Sequence, residues 1–211
     1  MALRLGDIAP DFDADTTDGP IRFWDWKGDA WAVLFTHPRD FTPVCTTELG
    51  AVARLGPEFA LRNVKVIGLS VDAVADHARW AADIAATQHT PLNFPLIGDP
   101  QRRVARLYDT IHPGASETST VRAVFVVAPD NRIALTFAYP ANVGRNFDEL
   151  LRVIDALQLT ARHAVATPAD WRHGDDVIIA ASLSDDEARR QFPQGWRAER
   201  PYLRIVSSPD A

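Results

Sequence analysis

One cysteine, Cys45, lies in the segment Trp31 to Leu49, WAVLFTHPRDFTPVCTTEL, and its setting suits nucleophilic chemistry. The apolar run Trp31 to Thr36 reads as a central strand covered on both faces. A helix is expected from about Pro43, with Thr42 as N-cap and Pro43 at N1, where a missing N–H costs nothing. That register puts Cys45 at N3, inside the first turn. The free N–H groups of a first turn present positive potential, which favours a thiolate, and a strand-to-helix corner keeps the sulfur near a surface cleft.

The helix end alone is too weak to generate a reactive thiolate. A free thiol titrates near about 8.5 and is only a few per cent ionised at neutral pH. Bringing a thiol to about 6 takes roughly 3.4 kcal/mol, at about 1.36 kcal/mol per unit. A helix terminus supplies typically ~0.3–1 kcal/mol, and up to ~2 in partly buried geometry. A cation must therefore stand near the sulfur. Arg39, His37, Arg122 and Arg145 are the candidates, and spacing alone does not choose among them.

The elements that must position these residues alternate between short β-branched or aromatic runs and longer helical segments, as in a layered α/β domain. Pro57 is expected to kink or split the helix that begins at Pro43, with the second segment ending near Arg62. Val64 to Ser70 reads as a strand, Val74 to Thr87 as an amphipathic helix, Phe94 to Ile97 as a strand and Arg102 to Tyr108 as a short helix. After a loop from Asp109 to Thr120, Val121 to Ala128 and Ile133 to Ala138 flank the turn Pro129-Asp130-Asn131 as a hairpin. A helix from Asn146, with Glu149 at the capping-box position, runs to about Leu159. The remaining tail carries Pro168, Pro193, Pro201 and Pro209 and one short strand near Asp176 to Ala180. It reads as too small for a core of its own and is expected to pack on its own domain or on a second subunit.

Composition narrows the function. The 211 residues hold 22 basic and 28 acidic side chains, for a formal net charge of -6, which argues against a nucleic-acid partner. A single cysteine excludes an intrachain disulfide and a Cys-rich zinc site and fits a reducing compartment. The six histidines show no HExxH or paired spacing, so no metal and no cofactor are expected. The amino-terminal MALRLGDIAPDF meets Asp7 and Asp11 before an apolar signal core can develop, and the longest stretch free of Asp, Glu, Lys and Arg, Ile84 to Gly98, is too short and polar to span a bilayer. A soluble cytoplasmic protein with no membrane partner is expected.

The run Pro38-Arg39-Asp40-Phe41-Thr42-Pro43-Val44-Cys45 resembles the PxxxTxxC active-site signature of the peroxiredoxins, and HPRDFTPVCTTEL resembles their one-cysteine, peroxiredoxin-6-like subgroup. The likeness continues through SVDAVADHARW (Ser70 to Trp80), TVRAVFVVAPD (Thr120 to Asp130) and YPANVGRNFDELLR (Tyr139 to Arg152), and so covers essentially the whole chain. It implies a thioredoxin-like α/β fold over about residues 1–160, with a small carboxy-terminal extension, 161–211, that serves dimerisation. It also implies a thiol peroxidase that reduces hydrogen peroxide and organic hydroperoxides. Cys45 matches the peroxidatic nucleophile, which becomes a sulfenic acid. Thr42 matches the threonine that aligns peroxide and sulfur, Pro38 the proline that shields the thiolate, and Arg122 the arginine that binds thiolate and peroxide. His37, Glu48 and Arg145 match supporting positions, with Glu48 and Arg145 orienting Arg122. A homodimer, or a ring of dimers, is implied.

Two departures carry consequences. Some members of the subgroup are credited with a phospholipase activity that uses a serine in a GDSWG-like motif and an upstream histidine. Here Ala30 occupies the serine position and Trp24 the histidine position, so no such activity is expected. With no second cysteine, Cys45 sulfenic acid must be reduced by an external thiol or another small reductant. Each residue also has a plainer reading: Cys45 as a small buried apolar side chain, Thr42 as a helix cap, Arg122 as an edge charge, and His37, Glu48 and Arg145 as structural hydrogen-bonding groups. Two rival functions remain at this level. One is an oxidation-switched holdase chaperone or peroxide sensor; the other is a binding module without chemistry, against which the intact set Pro38, Thr42, Cys45 and Arg122 argues.

Overall fold

The structure is a computed structural model that describes residues 3–210. In chain order its elements are β1 (Asp13–Thr16), β2 (Gly19–Arg22), α1 (Phe23–Lys27), β3 (Trp31–Thr36), α2 (Pro43–Arg54), α3 (Gly56–Leu61), β4 (Val64–Ser70), α4 (Val74–Gln88), β5 (Leu96–Gly98), α5 (Arg103–Leu107), β6 (Arg122–Val127), β7 (Ile133–Tyr139), α6 (Phe147–Arg162), β8 (Val165–Ala166), β9 (Val177–Ile179), α7 (Asp185–Gln191), β10 (Arg197–Arg200) and β11 (Leu203–Val206). Internal contacts group residues up to Phe147 and those from Asp148 on as two compact units. The helix α6, placed by sequence with the first domain, thus contributes almost all of its length to the second unit.

The first unit is built on a seven-stranded sheet in the order β2-β1-β5-β4-β3-β6-β7. The strands β3, β4 and β5 run parallel, whereas β6 joins β3 antiparallel and continues into β7. The central strands are those with unbroken apolar runs: β3 is buried from Ala32 on, and β6 along its whole length. Both faces of such strands must be covered, and their alternate side chains are shared between two layers. One face carries Ala32, Leu34, Ile67, Leu69, Phe125 and Val127 into a cluster with Phe12, Phe23 and Tyr108. There Phe12 and Phe23 stack with centroids 4.9 Å apart, and Tyr108 meets Phe12 edge-on at 5.7 Å.

The helix beginning at Pro43 does break before Pro57, giving α2 and α3. The strand expected at Phe94 to Ile97 is β5, shifted toward Gly98 because only Leu96 to Gly98 finds partners on β4. The hairpin β1–β2 and the helix α1 carry no clear apolar alternation and were not expected; pairing of Thr16 with Ile97 attaches the hairpin to the sheet edge.

The second unit joins the residues beyond α6 to that helix in one core. It forms a four-stranded antiparallel sheet, β10-β11-β9-β8. Leu159, Val165, Trp171 and Val177 make a buried cluster, joined by Ala156, Phe192 and Val206. Its helix α7 opens on a full capping box: the Ser184 hydroxyl accepts from Glu187 N–H, and the Glu187 carboxylate accepts from Ser184 N–H at 2.9 Å.

Candidate active site

The site forms where β3 ends and α2 begins. The ladder between β3 and β6 runs from Ala32 opposite Val127 to Phe35 opposite Val124. One residue further on, side chains take over: the Thr36 hydroxyl donates to the Val121 carbonyl at 2.6 Å and accepts from Ala123 N–H at 3.0 Å. The Thr120 hydroxyl then donates to the His37 carbonyl at 2.8 Å. These bonds hold the start of β6, and with it Arg122, beside the chain leaving β3.

Cys45 sits in the first turn of α2, with Thr42 at the N-cap and Pro43 next, as the sequence predicts. No acidic residue occupies that turn, so the positive end of the helix is uncompensated by its own side chains. The cysteine is fully buried, and Arg122 Nη1 donates to its Sγ at 3.3 Å. Of the four cations left open by spacing, Arg122 is thus the one whose guanidinium meets the sulfur. Arg39 instead is half-exposed and lies 3.7 Å from Asp72.

The guanidinium of Arg122 is itself fixed on three sides. Nη1 also donates to Glu48 Oε2 at 2.7 Å, while Nε and Nη2 donate to the Ala141 carbonyl at 2.9 and 2.6 Å. Glu48, one helical turn after Cys45, is shared with Arg145, whose Nε and backbone N–H donate to Oε1 and whose Nη2 donates to Oε2 at 2.7 Å. Arg145 Nη1 reaches the Ala123 carbonyl at 2.9 Å, and the guanidinium lies over the rings of Phe35 and Phe147. All three charged side chains are buried. Burial would push the Glu48 carboxyl up, but the Arg145 hydrogen bonds and charge outweigh it and hold it below the ordinary carboxylate range.

Two guanidinium cations against one carboxylate leave a net single positive charge in a site shielded from water. Buried unbalanced charge is costly, so an anion beside Arg122 would be favoured there. This supplies the cation that the helix end needs.

The other expected residues lie on the connection from β3 to α2. Pro38 is half-buried there, and the Thr42 hydroxyl donates to the Arg39 carbonyl at 2.9 Å. Thr42 is therefore an N-cap by position only: its side chain makes no capping bond, and its oxygen lone pairs stay free of the helix. His37 is fully buried, and its Nε2 bonds Asp40 Oδ1 at 2.9 Å rather than any member of the Glu48 cluster. Asp40, His77 and the Ala141 carbonyl were missed by sequence reasoning. All three lie within the quoted motifs, but nothing in the spacing of Asp40 and His77, 37 residues apart, signals that they meet.

His37, Asp40 and His77 bring three metal-type donor atoms within 4.8 Å of one another. Their separations are those of hydrogen bonds, 2.9 and 2.5 Å. Ligands of a tetrahedral zinc, at about 2.0–2.2 Å from the ion, stand roughly 3.3 Å apart. As positioned, the cluster shares protons rather than an ion.

The first unit matches the AhpC/TSA family over residues 5–136, and residues 156–199 match the C-terminal domain of 1-Cys peroxiredoxin. A 1-Cys peroxiredoxin of Dictyostelium discoideum is 48% identical over 208 residues, covering 99% of this chain and 86% of that protein. Peroxiredoxin-6 of Homo sapiens is 50% identical over 222 residues, covering 98% of each. Among solved structures, a peroxiredoxin 6 mutant of Arenicola marina superposes with a TM-score of 0.92 at 43% identity, covering 100% of both chains. A yeast mitochondrial 1-Cys peroxiredoxin, described for thiol resolution through glutathione and thioredoxin systems, gives 0.93 at 52% identity, covering 98% of this chain and 100% of that one. The fold is accordingly the thioredoxin-like α/β fold of these enzymes, and the chain belongs to the one-cysteine peroxiredoxins of the AhpC/TSA family, which are thiol-dependent peroxidases.

Proposed function

We propose that Cys45 is the peroxidatic nucleophile and that the remaining expected residues divide the work around it. The carrying observation is the 3.3 Å contact between Arg122 Nη1 and Cys45 Sγ in a buried cluster with one excess positive charge. The thiolate attacks one peroxide oxygen, the O–O bond breaks, and the departing oxygen leaves as water or alcohol after taking up a proton. Cysteine sulfur is oxidised to sulfenic acid as the peroxide is reduced. Arg122 stabilises the thiolate and the charge that develops on the leaving oxygen. Thr42, at the N-cap, aligns the peroxide with the sulfur, and Pro38 screens it from water. Glu48 and Arg145 orient Arg122, and His37 supports the loop between β3 and α2.

The second half of the cycle falls to another molecule, since the chain holds one cysteine. An external thiol attacks the sulfenic sulfur, water departs, and a mixed disulfide forms for a second thiol to reduce. The glutathione and thioredoxin systems named for the yeast relative are the reductant class proposed here. The match of residues 156–199 to the family's C-terminal domain supports a homodimer built with the second unit, and the single cysteine, which fits a reducing compartment, supports a cytoplasmic setting. No helix among the described residues is long and apolar enough to cross a membrane.

Purified protein with dithiothreitol should consume hydrogen peroxide and an organic hydroperoxide, and Cys45→Ser should not. Undiminished turnover in that variant overturns the assignment of the nucleophile. Sedimentation of the reduced protein tests the dimer, with a monomer at working concentration as the contrary result.

A further inference from the structure

Asp40 is a buried carboxylate on which three parts of the fold converge. Oδ1 meets His37 Nε2 at the end of β3, at 2.9 Å, and Oδ2 meets His77 Nδ1 on α4, at 2.5 Å. Its own N–H donates to Asp72 Oδ2, just past β4, at 2.9 Å, and Asp72 is held there by the Ser70 hydroxyl. The connection from β3 to α2 is thereby tied to β4 and α4.

The partners decide where the protons are. The second nitrogen of His77, Nε2, lies 3.1 Å from the Ile97 carbonyl, which can only accept. Nε2 must carry a proton, and with Nδ1 donating to a carboxylate His77 is an imidazolium. His37 is different: Nε2–H goes to Asp40, and Nδ1, fully buried, has no hydrogen-bond partner among the described residues. The one negative charge of Asp40 is already matched by His77. A second imidazolium at His37 would be uncompensated beside the excess positive charge of the arginine cluster. The titration tendencies agree. Burial acts first on all three groups, yet Asp40 raises His77 above its ordinary value, while His37 is pushed below it. Asp40 is held below the carboxylate range by its two imidazoles despite its burial. The other charges that bear on the group are Asp72, which favours protonated His77, and Arg145, which disfavours protonated His37.

We propose that His77 is a positioning residue of the peroxidase: as a buried cation it neutralises Asp40, so that Asp40 holds His37 as the neutral Nε2–H tautomer and pins the loop that carries Pro38 and Thr42. The loop needs such a pin. Phe41, between Asp40 and Thr42, has φ 55°, a left-handed conformation that a bulky side chain disfavours. Asp40, the residue before it, supplies the bonds that offset this strain. His77 touches neither sulfur nor peroxide; it acts through Asp40. The unpartnered Nδ1 of His37 keeps its lone pair only while the ring stays neutral.

This inference rests on Cys45 as nucleophile, and its test separates the two. Nitrogen NMR of the full-length protein labelled in histidine reads the tautomers directly. In the wild type, His37 should be neutral with Nδ1 bare, and His77 doubly protonated, from about pH 6 to 8, the range where a free histidine titrates. In His77→Gln the positive charge should move to His37. Single-turnover oxidation of Cys45 should slow roughly ten- to hundredfold, as expected for misplaced reacting groups, and acquire a new pH limb. The double variant Asp40→Asn, His77→Gln is neutral and keeps complementary donors and acceptors; it should return His37 to the neutral tautomer and restore much of the rate. A merely structural role would give neither the charge transfer nor the rescue. A doubly protonated His37 in the wild type, a stoichiometric divalent ion by elemental analysis, or a His77→Gln enzyme with unchanged rate and tautomer overturns the proposal. The wild-type spectrum decides even if the variants fail to fold. Peroxide turnover surviving Cys45→Ser would instead remove the reading on which it rests.

Discussion

Around Cys45 the important quantity is one unit of charge. Glu48 receives three bonds from Arg145 and one from Arg122 while remaining buried, so removing its charge leaves two confined cations facing each other. Glu48→Gln should destabilise the protein at neutral pH by on the order of 3–5 kcal/mol, the cost of breaking a buried pair, as measured by urea denaturation. Because the folded carboxyl titrates below its unfolded value, its contribution is complete above the unfolded value of about 4.3 and disappears as the pH falls through the folded one. The stability gap between wild type and variant should therefore narrow in acid. A gap that widens there would contradict the assigned charge state. Replacing Arg122 with Met should slow Cys45 oxidation roughly a hundred- to thousandfold, the usual loss for one donor aimed at developing charge. Ala30, buried at the position that the resemblance in sequence aligns with a serine, has no hydroxyl, so phospholipid hydrolysis should be absent; measurable ester cleavage would show a different nucleophile.

At the scale of elements, the site depends on how α4 is seated against β5. A Cβ added at Gly98 would lie 2.6 Å from Val74 N and 2.8 Å from Val74 Cγ2, so the first turn of α4 must move. That turn leads directly to His77. Gly98→Ala should cost about 1–3 kcal/mol, as overpacking does, and should slow peroxide reduction through the displaced His77 and Asp40. Gly114→Ala, where a Cβ meets nothing within 4 Å, should leave melting temperature and rate unchanged and serves as the control. Elements with strong local signals were legible: β3 and β4 by their apolar runs, α2 by Thr42 and Pro43, and the break before α3 by Pro57. The hairpin β1–β2 was not, since DADT and GPIR have no apolar period and are strands only because β5 offers an edge. Ser184 and Glu187 did carry a readable cap signal, yet β9 finds β11 only by pairing across the whole of α7, Ile178 with Ile205.

For the molecule as a whole, the single cysteine sets the chemistry of the cycle. After brief peroxide exposure in the presence of glutathione, intact-mass measurement should find one glutathione per chain, on Cys45. With peroxide alone, sulfenic and then sulfinic acid should accumulate, because no second thiol of the chain can intercept the first product. Return of Cys45 to the thiol without any added reductant would show that the chain resolves itself by other means. The net charge of -6 is a sum over the whole chain, while the arginine cluster beside Cys45 carries two cations against one carboxylate, so bulk charge says nothing about the thiol.

Read along the chain, local order was enough to place a nucleophile at a helix start, to predict its need for a cation and to show that no resolving cysteine follows. These conclusions depend on residue type and on spacings of a few residues, where helix and strand geometry is nearly fixed. Which cation meets the sulfur could not be had that way, because Cys45 and Arg122 are 77 residues apart and come together only when β6 lies beside β3. The same holds for Glu48 and Arg145, 97 residues apart, and for Asp40 and His77. Protonation states follow contacts of that kind: a buried imidazole is neutral or charged according to what the folded chain sets against its two nitrogens, and no short stretch of sequence contains that information.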